Sequence, residues 1–312
     1  MAKKKKIVII SGPTSTGKSF LALFLAKLID GEIINADSMQ VYEELKVITS
    51  RPPKEYTNDV RHHLYGFLPG DFRYNVYDWC VDCKKIIKDI LKKEKTPIIV
   101  GGTGLYISTL INGIYDIPKI PEKVKNESSA KLKSQGWEKF YKDILKFDSK
   151  SCKKIKNNDS QRIKRIWEVY NYTKIPLSQW QEKPNVTFLD QFNYEMILVM
   201  PKRDEIYIKC RDRFYNMINE GAIDEVTTLR DKRYNLTMPI MKAHGVPEII
   251  EYLDGKISLD EAIDHAIKST RNYVKRQFTW WRGLKIEPYY VFDDFPMNID
   301  LNSIKILKKL TN

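Results

Sequence analysis

Short uninterrupted apolar runs recur along the first third of the chain and once more beyond its middle. They are Ile7–Ile10, Ile33–Ile34 within the expected strand 32–37, Pro97–Val100, and the apolar part of the expected strand Phe188–Val199. Each is bounded by turn-forming or charged residues and is too short for a helix, so it reads as a strand buried on both faces. The segments between them carry apolar residues at helical spacing, which predicts helices over 18–29, 76–93 and 103–112. That alternation predicts an α/β fold: a parallel sheet flanked by helices, with ligands at the carboxyl ends of its strands. The turn Ile117-Pro118-Lys119-Ile120-Pro121 then breaks the pattern. From Glu122 to Tyr172 only helical periodicity is found, including Trp137–Leu145 and Asp159–Tyr170. After Met200-Pro201, helices are predicted over 204–219, 221–232, 246–253 and 259–281, and a short one over 305–310. The expected organisation is a core of residues 1–117 and 188–312, interrupted by an all-helical insertion over 118–187.

The first strand runs into Gly12-Pro13-Thr14-Ser15-Thr16-Gly17-Lys18-Ser19, a complete GxxxxGK[ST] phosphate loop, and the predicted helix begins at Lys18. Glycines let the backbone curl so that successive N–H groups point at one anion. The helix N-terminus adds partial positive charge, Lys18 a full one, and the Ser19 hydroxyl is the ligand expected for a magnesium ion. The chain is therefore expected to bind a polyphosphate.

Phosphoryl-transfer enzymes of this class usually carry a second strand ending in a magnesium-binding Asp. Here the strand around 32–37 ends in Asp37, while the strand at 97–100 ends in Gly101-Gly102-Thr103-Gly104 with no acid. A single carboxylate thus stands at the strand ends beside the phosphate loop.

Composition narrows the partners. Lys and Arg number 53 against 40 Asp and Glu, a net +13. Residues 119–174 alone hold 16 basic and seven acidic side chains, so +9 falls in the insertion. Neutralising several phosphates is how proteins hold nucleic acid, and that is the partner class expected for the insertion. No apolar run approaches the roughly 20 residues of a membrane span, and Lys3–Lys6 precede only four apolar residues, short of a signal-peptide core. A cytoplasmic, non-membrane protein is expected. Cys80 and Cys83 form a CxxC without a second pair, on a predicted helix, so Cys80, Cys83, Cys152 and Cys210 read as free structural thiols. In Ser269–Arg282, Arg271, Lys275 and Arg282 alternate with Tyr273, Phe278, Trp280 and Trp281. Such a cluster either binds phosphates and bases or is a core face with a solvated charged side.

Five motifs occur in order: GPTSTGKS (12–19), NADSMQVY (35–42), VGGTGLY (100–106), NDSQRIKRIWEV (158–169) and STRNYVKRQFTWWRG (269–283). Together, over residues 7–283, they closely resemble the bacterial tRNA dimethylallyltransferases, also called tRNA isopentenyltransferases. The resemblance implies transfer of a dimethylallyl group from dimethylallyl diphosphate to N6 of the adenosine 3′ of the anticodon, by a monomer with magnesium. In that scheme the phosphate loop holds a leaving diphosphate, and Asp37 matches the family's catalytic base. Thr14, Lys18 and Arg213 would stabilise the diphosphate, with Arg211 close enough in sequence to compete for Arg213's place. The tRNA contacts implied by position are Asp37, Ser38, Met39, Gln40, Thr103, Lys125, Gln161, Arg162, Ile163, Lys164 and Arg165. The loop Lys242, Ala243, His244, Gly245, Val246 and Pro247 would join them, although this chain has His244-Gly245-Val246-Pro247 where relatives often differ. His62 and His63 are expected to be structural. The alternative is a P-loop nucleoside or nucleotide kinase, with Asp37 as the acceptor's base and the insertion as a lid; it predicts ATP turnover and gives no reason for the insertion's charge. A cytokinin-type enzyme acting on free AMP would need no such surface either.

Overall fold

A computed structural model describes residues 6–155, 159–284 and 286–297, with positions 303, 305, 307 and 309. Lys3–Lys5, Asn158 and most of the expected 305–310 helix lie outside the described residues; positions 305 and 307 are helical. The chain divides into two compact units, one of residues 1–111 and 188–312, the other of residues 112–187. The second unit starts six residues before the expected 118, because Ile114 and Val186 exchange backbone hydrogen bonds (3.0 and 2.8 Å) and so pull the preceding turn into it.

In the larger unit the elements run β1 (Lys6–Ser11), α1 (Lys18–Leu28), β2 (Gly31–Asn35), α2 (Lys54–Asp59), β3 (His62–His63), α3 (Val76–Lys92), β4 (Thr96–Gly101) and α4 (Gly104–Asn112). In the insertion they are α5 (Glu122–Leu145), α6 (Ser149–Cys152), α7 (Ser160–Thr173) and α8 (Leu177–Trp180). The larger unit resumes with β5 (Asn193–Val199), α9 (Arg203–Asn219), α10 (Ala222–Asp231), α11 (Val246–Leu253), α12 (Leu259–Gly283) and β6 (Tyr290–Phe292). The strands form one parallel sheet in the order β3-β2-β4-β1-β5-β6. Ile7 to Ile10 at its centre are fully buried, as strands covered on both faces must be.

Register decides where the strand tips meet. Ser11 lies opposite Gly101, and Asn35 opposite Val100, so β1, β4 and β2 end level. The Ser11 hydroxyl donates to the Gly101 carbonyl at 2.6 Å, the Ala36 N–H to Val100 O at 2.7 Å, and the Thr103 N–H to Ala36 O at 3.2 Å. Gly101 passes so close to Ala36 that a Cβ there would sit 2.2 Å from the Ala36 carbonyl. Against the open face of these tips pack α9 to α12, whose apolar cluster includes Phe214, Met217, Val246 and Ile249 together with Val41, Leu45 and Ile48 from the loop after β2.

The insertion has its own small core of Phe140, Ile144, Cys152, Ile163 and Ile166. Its long helix α5 is broken at Gly136 (φ 76°, ψ 169°). Asp159 caps α7 by accepting from the Arg162 N–H at 3.1 Å. All four cysteines are free and buried; Cys80 and Cys83 share the inner face of α3, where burial pushes the Cys80 thiol up to about 12.

Gly101→Ala should destabilise the protein by on the order of 3 kcal/mol, since a fixed backbone cannot yield to the new methyl. Gly283→Ala, where a Cβ meets nothing within 4 Å, should change stability by less than about 1 kcal/mol. Urea unfolding of both variants checks this, and equal effects would contradict it.

Candidate active site

The phosphate loop follows β1 in the middle of the sheet. Gly12 (φ 142°) is held where a Cβ would lie 2.2 Å from Val199 O, so the turn needs glycine on both steric and torsional grounds. Thr16 folds back, its hydroxyl donating to Pro13 O at 2.9 Å, and Lys18 Nζ is bonded to the same carbonyl. The loop is thus closed on itself, with Ser19 in the first turn of α1.

Two cations converge on it. Lys18 is buried, and its ammonium pKa is lowered to about 7, chiefly by desolvation and also by Arg213, with Asp37 and Cys210 acting the other way. Arg213 comes from α9. Its Nη1 donates to Thr14 Oγ1 at 3.1 Å and Ser15 Oγ at 3.2 Å, its Nε to Ser50 Oγ at 2.7 Å, and its Nη2 to Thr49 O at 3.3 Å. Arg211, two positions earlier and so on another face of the helix, instead pairs with Asp212 at 3.1 Å. Between the two arginines that the sequence left open, the structure puts Arg213 on the loop.

Across from the loop stands Asp37, two residues beyond β2. Its Oδ1 accepts from the Met39 N–H at 2.9 Å, and the Asn35 side chain grips the Asp37 backbone on both sides. The Ser38 N–H donates to Thr103 Oγ1 at 3.0 Å, so the β2 and β4 loops are joined beside the carboxylate. Gln40 is tied to Thr49 O and Ser50 O. Asp37, Thr14, Ser15 and Arg213 open onto a cavity of about 190 Å³ walled by Ile48, Phe214, Met217, His244 and Tyr273. An adjoining cleft of about 400 Å³ is lined by residues 14–19 of the phosphate loop, Ser19 included. One hydroxyl and one carboxylate in a cleft suit magnesium, which takes few protein ligands and fills its shell from phosphates and water. Among the described residues no group of three or more His, Cys, Asp or Glu could hold a metal alone.

Sequence reading placed most of these groups but not all. Ala243 and His244 reach the cavity, with His244 Nδ1 hydrogen-bonded to Ser269 Oγ at 2.8 Å and its ring 5.0 Å from Tyr273. Burial lowers the His244 pKa, which favours the neutral ring. Two expected contacts need correction. Val246 is fully buried in the core under α11, and Ile163 is fully buried in the insertion core, because both occupy the inward positions of their helices. In the insertion the exposed members of the run are Gln161 and Arg162, with Lys164 half-buried and Arg165 paired electrostatically with Glu168. Lys125 is bridged to Glu122 at 3.1 Å. Residues that sequence reading missed are Ile48, Thr49, Ser50, Phe214, Met217 and Gln277. The first three lie in irregular backbone without a motif, whereas Gln277 was detectable as a polar residue in the apolar face Val274, Phe278, Trp281. The histidine pair on β3 serves the sheet edge: His62 Nδ1 lies 2.7 Å from Val60 O, and His63 Nε2 2.7 Å from the buried Glu32 carboxylate. The cluster 269–282 divides, with Val274, Phe278 and Trp281 in the core and Tyr273 facing the cavity.

With its pKa near 7, Lys18 is mostly neutral at pH 8 and mostly charged at pH 6. An anion in the loop favours the ammonium form, so binding of inorganic diphosphate at pH 8 should take up close to one proton that Lys18→Met does not take up. At pH 6 the two proteins should nearly agree. Calorimetry in buffers of different ionisation heat measures this; equal uptake by both proteins at pH 8 would contradict it.

A family model described as IPP transferase matches residues 40–284, and one described as Isopentenyl transferase matches residues 5–65. A tRNA dimethylallyltransferase of Pelagibacter ubique (strain HTCC1062) is 40% identical over 311 residues, covering 98% of this chain and 99% of that protein. Another, of Ehrlichia chaffeensis (strain ATCC CRL-10679 / Arkansas), is 42% identical over 277 residues, 88% of this chain and 90% of its own. The crystal structure of a tRNA delta(2)-isopentenylpyrophosphate transferase from Staphylococcus epidermidis matches with a TM-score of 0.67 at 29% identity, covering 99% of this chain and 98% of that one. A eukaryotic dimethylallyltransferase acting on tRNA matches with a TM-score of 0.81 at 27% identity, covering 96% and 77%. These relatives support prenyl transfer and give no support to the kinase alternative. Motifs, sheet and relatives agree, and the chain belongs to the tRNA dimethylallyltransferase family of prenyl-transferring enzymes.

Proposed function

We propose that this chain transfers the dimethylallyl group of dimethylallyl diphosphate to N6 of the adenosine immediately 3′ of the anticodon of a tRNA, releasing diphosphate. The observation that carries this reading is one carboxylate, Asp37, facing an anion cradle across a cavity with an apolar wall of Ile48, Phe214 and Met217. A charged acceptor or a second metal-binding acid would be misplaced against that wall, whereas an isoprenoid chain is suited to it.

The chemistry follows from the groups present. The exocyclic amine of adenine is a poor nucleophile because its lone pair is delocalised into the ring. As its nitrogen bonds to the allylic carbon, the carbon–oxygen bond to diphosphate breaks and the electron pair leaves with oxygen. The N6 proton passes to the Asp37 carboxylate, a contribution of about 10²–10⁴-fold. Growing charge on the diphosphate is met by the N–H groups of residues 15–19, the Thr14 hydroxyl, Lys18 and Arg213, donors fixed in place before the reaction starts. Magnesium, when bound, would neutralise further charge on the diphosphate, and Ser19 is the side chain that would hold it.

The RNA is assigned to the charged insertion and to the loops around the cavity. Gln161, Arg162, Lys164, Arg165 and Lys125 would contact the anticodon stem-loop, giving affinity through phosphates. Ser38, Met39, Gln40, Thr103 and the 242–245 loop with Pro247 would surround an adenosine that has left its stack. Among the described residues no helix is long and apolar enough to cross a membrane, and we place the enzyme in the cytoplasm as a monomer.

Incubation with magnesium, labelled dimethylallyl diphosphate and an unmodified anticodon stem-loop should put label into the RNA. Asp37→Ala should lower the rate by at least about a hundredfold. Label from both proteins at similar rates would remove Asp37 as base. No label in RNA, with ATP consumed on nucleosides, would return the kinase reading.

A further inference from the structure

Gln277 is 5% exposed on α12, among apolar neighbours, and touches neither the cavity nor the cleft. Its carboxamide nonetheless joins the two loops that build the site. Oε1 accepts from the Thr14 N–H at 2.9 Å, and Nε2 donates to Gly102 O at 2.8 Å. Those partners fix which end of the amide is oxygen, since the Thr14 N–H only donates and the carbonyl only accepts. Thr103 Oγ1 accepts from the Ser38 N–H, next to Asp37. A continuous path therefore runs from Thr14 in the anion cradle, through Gln277 to Gly102, along the chain to Thr103, and on to the residue beside the carboxylate. Gly102 has no Cβ where one would lie 2.6 Å from Gln277 Nε2, so the glycine turn is shaped around this amide.

We infer that Gln277 is a positioning residue which sets the separation between the diphosphate cradle and the Asp37 side of the site. The inference rests on the reaction proposed above. The amide fills both roles at once, as acceptor for one loop and donor for the other. A carboxylate can fill only the first, and a thioether of similar length neither. A protonated carboxylic acid regains the donor.

The test compares wild type, Gln277→Met and Gln277→Glu in steady-state dimethylallyl transfer to the stem-loop, at pH 6 and pH 8, with stem-loop affinity and Tm measured alongside. Gln277→Met should lower kcat/KM for dimethylallyl diphosphate by about a hundredfold, the scale of a 1 Å misplacement of reacting groups. Stem-loop affinity should stay within about twofold, because phosphate contacts elsewhere supply it. Gln277→Glu should be similarly impaired at pH 8 and recover at least about fivefold relative to wild type at pH 6, as protonation of the buried acid restores the donor. A merely structural glutamine would weaken RNA binding and diphosphate use together. That outcome, or wild-type kinetics in Gln277→Met, overturns the inference. Should Gln277→Met fail to fold, the pH ratio of Gln277→Glu decides: recovery supports the role, and a flat ratio overturns it. No transfer by wild type would overturn the reaction itself, and this inference with it.

Discussion

The passage of Gly101 beneath the Ala36 carbonyl is the constraint on which the rest depends. A Cβ at that point would stand 2.2 Å from backbone, so β2 and β4 end level only because the residue there has none. The level ends let the Ser11 hydroxyl, the Ala36 N–H and the Thr103 N–H tie three strand tips together. The phosphate loop then follows the β1 tip, Thr103 the adjoining β4 tip, and Asp37 the β2 tip beyond it. Binding at the carboxyl ends of parallel strands is general to such sheets. Here the placement follows from one glycine and three hydrogen bonds.

Electrostatics completes what the backbone begins. Lys18 and Arg213 are both drawn toward neutrality by burial, and each is partly held in its charged form by Asp37. Two cations against one carboxylate leave the cleft short of negative charge, a deficit that the proposed diphosphate would fill. Arg213 spans the 14–15 loop and the 49–50 loop at once, so the cradle is organised before any ligand arrives. Fixed donors of this kind act without reorganising during the reaction.

The core of the fold was legible where pattern and steric need coincide. The first strand, loop and helix fall within a residue of expectation, because Ile7–Ile10 and the glycine loop permit little else. The strand expected from 188 begins at Asn193, since Phe188 and Leu189 are buried through turns and Phe188 packs on Tyr77 of α3. Strands β3 and β6, two and three residues long, carry no period that a sequence can display. At the site, Lys18 and Asp37 were readable from the phosphate-loop motif and the lone strand-end carboxylate, and Thr14 and Thr103 only through the motifs shared with the family. Ile48, Phe214 and Met217 were not, as only the tertiary packing of α9 against the 41–48 loop turns ordinary core residues into a cavity wall. Ile163 and Val246 erred the other way: their positions in motifs suggested contact, while helical phase points them inward.

In the proposed reaction the phosphate loop holds a leaving group and not a phosphoryl group in transit. The most direct test uses dimethylallyl diphosphate carrying heavy oxygen at the bridge between carbon and phosphorus. Mass spectrometry of the products after transfer to the stem-loop locates the label. The released diphosphate should retain all of it, and the RNA should gain only the hydrocarbon chain. Heavy oxygen in a dimethylallyl alcohol, or phosphate joined to the RNA, would mean that the bond to phosphorus had broken and would contradict the proposed reaction.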